Sequence, residues 1–301
     1  MSIINNFPMI SLLLLFGSAM LILLFRRKNI TKTICVMTLS ITSLLSITTL
    51  IHVMKNSAII YLAGHFDAPW GVEMYIGSIE ALFSFIFSFI GLLIILYSFG
   101  SIELETKENS YHFFYGVVLI LLASLMGIIF SYDLFNAFVF IEICSIASIT
   151  LILVKDKKEN LKASLKYLVL SSLGSGLFLM AIAFLYSITG NLSMRFINQE
   201  LMKITKVYPD IISISLALVI VGLGVKSALF PLHLWLPDAH SSAPTPSSAI
   251  LSGLVLKAYS ILSIKIILLT YGYELIFNNI MLLNLVLILA MSGMIIGSFL
   301  A

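Results

Sequence analysis

Long apolar stretches recur along this chain at 8–25, 33–54, 76–98, 112–131, 133–154, 163–188, 211–230, 247–270 and 279–301, separated by short polar connections. Each is close to the roughly twenty residues that carry an α-helix across the hydrocarbon of a bilayer. None alternates strictly between polar and apolar positions, which excludes a closed barrel and leaves helices as the way to satisfy backbone groups in lipid. The pattern therefore predicts an all-α, polytopic transmembrane helix bundle of about nine helices. Two connections are longer. Residues 55–75 hold the turn-like Asp67-Ala68-Pro69-Trp70-Gly71, and within 191–210 the segment 194–206 reads as a helix lying flat at the membrane surface. The last apolar run reaches Ala301 with no flanking charge, so the polypeptide is expected to continue, or a partner to cover this helix.

Composition narrows the reading. Hydrophobic residues make up 60% of the chain and charged residues 10%, and mean hydropathy is +1.11, which leaves no room for a sizeable soluble domain. Redox chemistry, and any cofactor for it, is expected elsewhere than in this chain. The net charge of +3 is no sign of nucleic-acid binding, because the cations sit in connections between apolar runs, where they set topology. Cys35 and Cys144 lie far apart inside apolar runs and predict neither a disulfide nor a metal cluster. The first run has no basic residue before it and is followed by Arg26, Arg27 and Lys28, the reverse of a cleavable signal. With the N-terminus outside a cell (inner) membrane, Arg26, Arg27, Lys28, Lys32, Lys107, Lys155, Lys157, Lys158, Lys162 and Lys166 become cytoplasmic. Lys55, Arg195, Lys203 and Lys206 fall on the other side.

Lys226, Lys257 and Lys265 have no place in that scheme, and with Glu142 they are the charges that lipid tolerates least, at about 2.5–3.5 kcal/mol each near the bilayer centre. Glu142 lies about nine residues into its run, hence ~13 Å deep. Its bland reading is a protonated carboxyl joining two helices. Lys226 precedes Pro231, which removes a backbone donor and is expected to break the helix there. A lysine at a broken helix end faces protein or a wet cavity and either caps loose carbonyls or takes part in a proton relay. Lys257 is about ten residues inside its run and is expected to face a polar interior; Lys265, further along, either joins it or snorkels to the far interface. A histidine side chain ordinarily titrates near neutral pH, so His233 and His240 extend the candidate relay. With Asp238 they form a weak metal constellation, and Asp238 reads better as a turn cap.

Gly224-Val225-Lys226-Ser227-Ala228-Leu229-Phe230-Pro231-Leu232-His233-Leu234-Trp235-Leu236-Pro237-Asp238-Ala239-His240, then Ala243-Pro244-Thr245-Pro246 and Ser252-Gly253-Leu254-Val255-Leu256-Lys257-Ala258-Tyr259, resemble the signature of the antiporter-like membrane subunits shared by complex I, Mrp-type sodium/proton antiporters and membrane-bound [NiFe] hydrogenases. Phe140-Ile141-Glu142 is similar to the family's acidic helix and Trp70-Gly71-Val72-Glu73 to its extracellular turn; Glu80 stands where the family often has Asp. The Asp-Ala-His variant looks closest to hydrogenase-type members. The resemblance implies three N-terminal helices over 1–111, one complete five-helix repeat over 112–270, and the start of a second, truncated repeat over 271–301. It also implies that Glu142 pairs with Lys226 in a half-channel continued by His233 and Lys257.

Together these expectations point to translocation of protons, or Na+/H+ exchange, by a subunit working beside other membrane subunits of a redox-driven complex. The competing readings are a stand-alone or Mrp-type antiporter subunit and a structural subunit with a degenerate channel.

Overall fold

The computed structural model describes residues 4–66, 68–106, 111–155, 157–273, 275 and 280–300; Asp67, Lys107 and Ala301 lie outside the described residues. Among the described residues, eight helices are long and apolar enough to cross a membrane. They are α1 (Phe7–Leu24), α2 (Lys28–Lys55), α3 (Ser78–Glu105), α4 (Tyr111–Phe130), α5 (Leu134–Leu153), α6 (Lys158–Thr189), α8 (Pro209–Lys226) and α10 (Thr245–Tyr271). Between them lie a short α7 (Met194–Ile204) and α9 (Leu236–Ser242), and α11 (Ile280–Leu300) occupies the ninth apolar run.

Helix α4 organises the bundle. It is apolar on every face and nearly all of it is buried, whereas the other spans keep one side outward, as expected when one helix is surrounded and the rest face lipid. It packs against α1, α3, α5 and α10. Gly127 is one reason α5 fits so tightly, since a Cβ there would fall inside the Phe140 ring.

Helices α2 and α3 run past the apolar stretches that predict them because their polar ends find partners. Lys28 and Lys32 both pair with Glu103, at 2.6 and 3.2 Å. At the same end Lys155 pairs with Glu105 at 2.8 Å and donates to the Ala243 carbonyl, while Glu105 also accepts the Thr245 amide of the first turn of α10. Asn160 ties the Ile152 and Ser242 carbonyls together. This lysine-rich end is thus cross-braced by side chains.

The opposite end is braced by backbone instead. Residues 55–75, expected only as a long connection, contain an antiparallel hairpin of β1 (Ile59–Leu62) and β2 (Glu73–Ile76), with Ile59 opposite Ile76 and Leu62 opposite Glu73. Met74 bridges to Ser131, and Asp133 to Ser193, so the links before α3, α5 and α7 meet in one place. The expected surface helix is present as α7, with Met194, Ile197 and Leu201 buried and Lys203 paired with Glu200 on its polar side. The turn residue Trp70 is almost fully exposed.

Candidate ion-conduction site

Helix α8 ends at Lys226, five residues before Pro231, because the chain closes itself with a Schellman cap. The Leu229 amide donates to the Gly224 carbonyl at 2.8 Å and the Ala228 amide to the Val225 carbonyl at 3.3 Å, with Ala228 in the left-handed region at φ 55°. The break thus falls where it is expected, between Lys226 and Pro231: the cap closes the helix at Ser227, the residue whose carbonyl the Pro231 ring would meet in a continuing helix, and Pro231 lies in the turns leading to α9. The Trp235 indole also donates to the Val225 carbonyl at 3.0 Å and stacks on Tyr167 at 4.3 Å. These groups take up the carbonyls at the end of α8, so capping them is not the task of Lys226.

The Lys226 side chain points into the bundle and is 1% exposed. Its ammonium donates to the Ser145 hydroxyl and the Ser171 hydroxyl, each at 2.6 Å, and lies 3.6 Å from a Glu142 oxygen. The close approach of α6 to α8 makes this reach possible. A Cβ on Gly174 would stand 2.8 Å from the Gly222 carbonyl oxygen, and one on Gly222 2.7 Å from that of Gly174, so two side-chain-free positions let the backbones touch. Tyr259 of α10 closes the site, its hydroxyl 3.5 Å from that of Ser145. The Glu142 oxygen facing Lys226, the Ser148 hydroxyl and the Tyr167 hydroxyl are buried without a hydrogen-bond partner among the described residues. Buried polar atoms left over around an ammonium are the lining a hydrated seam requires.

Glu142 and Lys226 are brought together as expected. Glu142 is also 36% exposed, so the pair is asymmetric, with a fully enclosed cation and a carboxylate at the edge of α5. Lys257 is placed differently from the expectation. It lies on the exposed side of α10 and donates to the Ser252 carbonyl at 2.8 Å. Residues two apart on a helix point about 200° away from each other, so once Tyr259 faces Ser145, Lys257 cannot. Two π-helical turns, Leu251–Val255 and Ile267–Tyr271, flank this part of α10.

His233 sits half-buried in the turn after the break, its ring 5.5 Å from that of Phe230 and its Nδ1 buried without a partner among the described residues. His240 exchanges a 2.7 Å hydrogen bond with Ser248. Asp238 is no turn cap: its carboxylate pairs with Lys166 at 2.6 Å, while its backbone carbonyl accepts from Ser241 and Ser242. His240 and Asp238 of the weak metal constellation thus take separate partners, His233 lies beside Phe230 instead, and no group of three metal-ligating side chains forms among the described residues. Lys265 does not snorkel. It is buried and paired with Glu80 at 3.1 Å near the hairpin end.

Sequence reasoning missed Ser145, Ser171 and Tyr259. Ser145 was open to it, being three residues after Glu142 and so on the same helical face. Ser171 carried a fainter signal, one turn before Gly174 in a segment rich in small residues.

Residues 131–301, more than half of the chain, match the family described as NADH:quinone oxidoreductase/Mrp antiporter, transmembrane. A Na(+)/H(+) antiporter protein of Bacillus subtilis, one component of that multisubunit exchanger, is 32% identical over 84% of this chain and 50% of its own length. NADH-quinone oxidoreductase subunit N of Desulforudis audaxviator is 32% identical over 65% of this chain and 38% of its own length. Among solved structures, a polypeptide of the membrane-bound sulfane sulfur reductase, an archaeal respiratory membrane complex, superimposes with a TM-score of 0.76 at 31% identity, covering 88% of this chain and 52% of that one. The chain spans about half the length of such relatives or less. An enclosed lysine at a helix break, facing a carboxylate on α5, thus stands in a matched segment that covers both, and the chain belongs to the NADH:quinone oxidoreductase/Mrp antiporter transmembrane family.

Proposed function

We propose that this chain translocates protons, or exchanges Na+ for H+, as an antiporter-like subunit of a larger membrane complex. The observation that carries the reading is the Lys226 ammonium, enclosed at an interrupted helix and held by two hydroxyls and one carboxylate. Charges this close in a medium of low effective dielectric control one another's protonation. When Glu142 is ionised the ammonium is favoured; when Glu142 is neutralised, Lys226 is pressed to release its proton. The Ser145, Ser171, Tyr167 and Tyr259 hydroxyls are both donors and acceptors and are placed to pass that proton on.

Glu142 is the member a neighbouring subunit can reach, because it is the exposed one. A redox-driven partner and an Mrp-type partner would act on it in the same way, and both kinds of complex occur among the relatives. Electron transfer is assigned to partner subunits. The orientation proposed is N-terminus outside in a cytoplasmic membrane, with the lysine-rich end inside. Lys257 and His240 remain proposed as later carriers, on the exposed side of α10 and at the lysine-rich end.

The test is transport in native membrane vesicles or proteoliposomes, with assembly followed on native gels. Glu142→Gln and Lys226→Ala should each abolish ion movement while the complex still assembles. Intact transport in either variant rejects the reading; loss of assembly in both, with transport per assembled complex unchanged, favours the structural-subunit alternative.

A further inference from the structure

A second buried ion pair lies apart from the Lys226 site. Lys265 of α10 is 7% exposed, and its ammonium pairs with Glu80 at 3.1 Å and donates to the Ile129 carbonyl at 2.8 Å. The other Glu80 oxygen accepts the Gly77 amide at 3.0 Å, which seats the carboxylate in the first turn of α3. Above the ammonium, 5.9 Å from each ring centre, are Tyr75 and Tyr132, stacked on each other at 5.2 Å.

Those rings also floor a cavity of about 200 Å³, lined in addition by Ile60, Glu73 and Arg195 and opening at the hairpin end. A Cβ placed on Gly77 would lie 2.9 Å from the Glu80 oxygen and 3.0 Å from the Tyr75 hydroxyl, so both converge on one small spot that only glycine leaves free. Burial, with negative charge nearby, pushes the Tyr75 and Tyr132 phenols up from their ordinary range, so both keep their protons and can donate. The titratable groups facing this region are Glu73 and Tyr75 from β2, Glu80 from α3, Tyr132 from the link before α5, Arg195 from α7 and Lys265 from α10.

A structural clamp needs only the ion pair. It has no use for a cavity that carries Glu73 and Arg195 on its walls and stops at a two-ring lid directly over the pair. We propose that Glu80, with Lys265 as its counter-charge, is a second proton-binding site, reached from the hairpin side through this cavity and gated by the Tyr75–Tyr132 stack. A proton arriving from the interior bonds to a Glu80 oxygen, which neutralises the carboxylate and leaves Lys265 on the Ile129 carbonyl. Loss of that proton to bulk water in the cavity restores the carboxylate and the pair; one O–H bond forms and the same bond breaks. Along α10 the site lies six residues from Tyr259, about 9 Å on the helix axis, so it continues the Lys226 cluster toward the hairpin face.

The proposal rests on the proton-translocation reading, and the experiment separates the two. Transport and assembly are measured for the complex carrying Glu142→Gln, Glu80→Gln, or the charge-free pair Glu80→Gln with Lys265→Met. The double variant removes the uncompensated buried lysine and should assemble normally. As a proton site, it should still lose transport by about a hundredfold, the scale of a missing acid–base group. If the double variant assembles and transports normally while Glu142→Gln does not, the pair is only a clamp and this inference is overturned, with the parent reading intact. If Glu142→Gln itself transports normally, both fall. In a second arm, Ile60→Cys is treated with a bulky membrane-impermeant thiol reagent; Cys35 and Cys144 are buried, and the parent chain serves as control. Block of transport from the side of the hairpin alone supports the route, and block from the lysine-rich side alone, or from neither, overturns it.

Discussion

At the scale of single residues, the site separates stability from function. Removing one partner of a buried ion pair costs about 3–5 kcal/mol, whereas replacing both partners by apolar residues of similar volume is often neutral or stabilising. Glu142→Leu combined with Lys226→Met is therefore expected to leave the thermal midpoint of the detergent-purified protein unchanged or raised while ion transport is lost. A midpoint that falls by several degrees would show that the pair is kept for the fold. Ala228 offers the opposite case. Its left-handed backbone costs about 1–2 kcal/mol for a residue with a Cβ, and glycine relieves it. Ala228→Gly should raise the unfolding free energy by about 1 kcal/mol, read from denaturant titration, with the break in α8 unchanged.

Between elements, the controlling contact is the backbone approach of α6 and α8 at Gly174 and Gly222, because it sets how far Ser171 stands from the Lys226 ammonium. Gly174→Leu inserts a side chain where even a Cβ meets the Gly222 carbonyl at 2.8 Å. Overpacking of this kind costs about 1–3 kcal/mol. The helices should part, and transport should fall even though every ionisable residue is present. A cysteine pair placed across the two helices, cross-linking in the parent and not in Gly174→Leu, would check the separation. Normal transport in that variant would show that the Ser171 contact is dispensable.

This is also where the sequence stops being readable. Apolar runs report each helix's partition into lipid, so the spans and the surface helix could be read from one dimension; the Glu142–Lys226 pairing came only with the family resemblance. Which face of α10 turns inward could not, because Lys257 and Tyr259 are equally deep and only packing against Ser145 chooses between them. The hairpin was hidden in a connection whose strands are four residues each, and Glu80 met Lys265 across 185 positions with no local pattern to announce it.

For the molecule as a whole, the two ends are built differently, and that difference predicts orientation. One end carries Lys28, Lys32, Lys155 and Lys166, each paired with a carboxylate of another helix, so the charges that set topology also brace the bundle. The other end is closed by β1, β2 and their bridges to the links before α5 and α7, with few cations. Positive connections resist translocation, so the lysine-rich end should remain in the cytoplasm and the hairpin should cross. Trp70→Cys at the exposed hairpin turn should react with an impermeant thiol reagent in intact cells, and Lys157→Cys only after the membrane is opened. The reverse pattern would invert the proposed orientation. It would also turn the cavity above Glu80 toward the cytoplasm, making that carboxylate the point where protons enter and the lysine-rich end the side on which they leave.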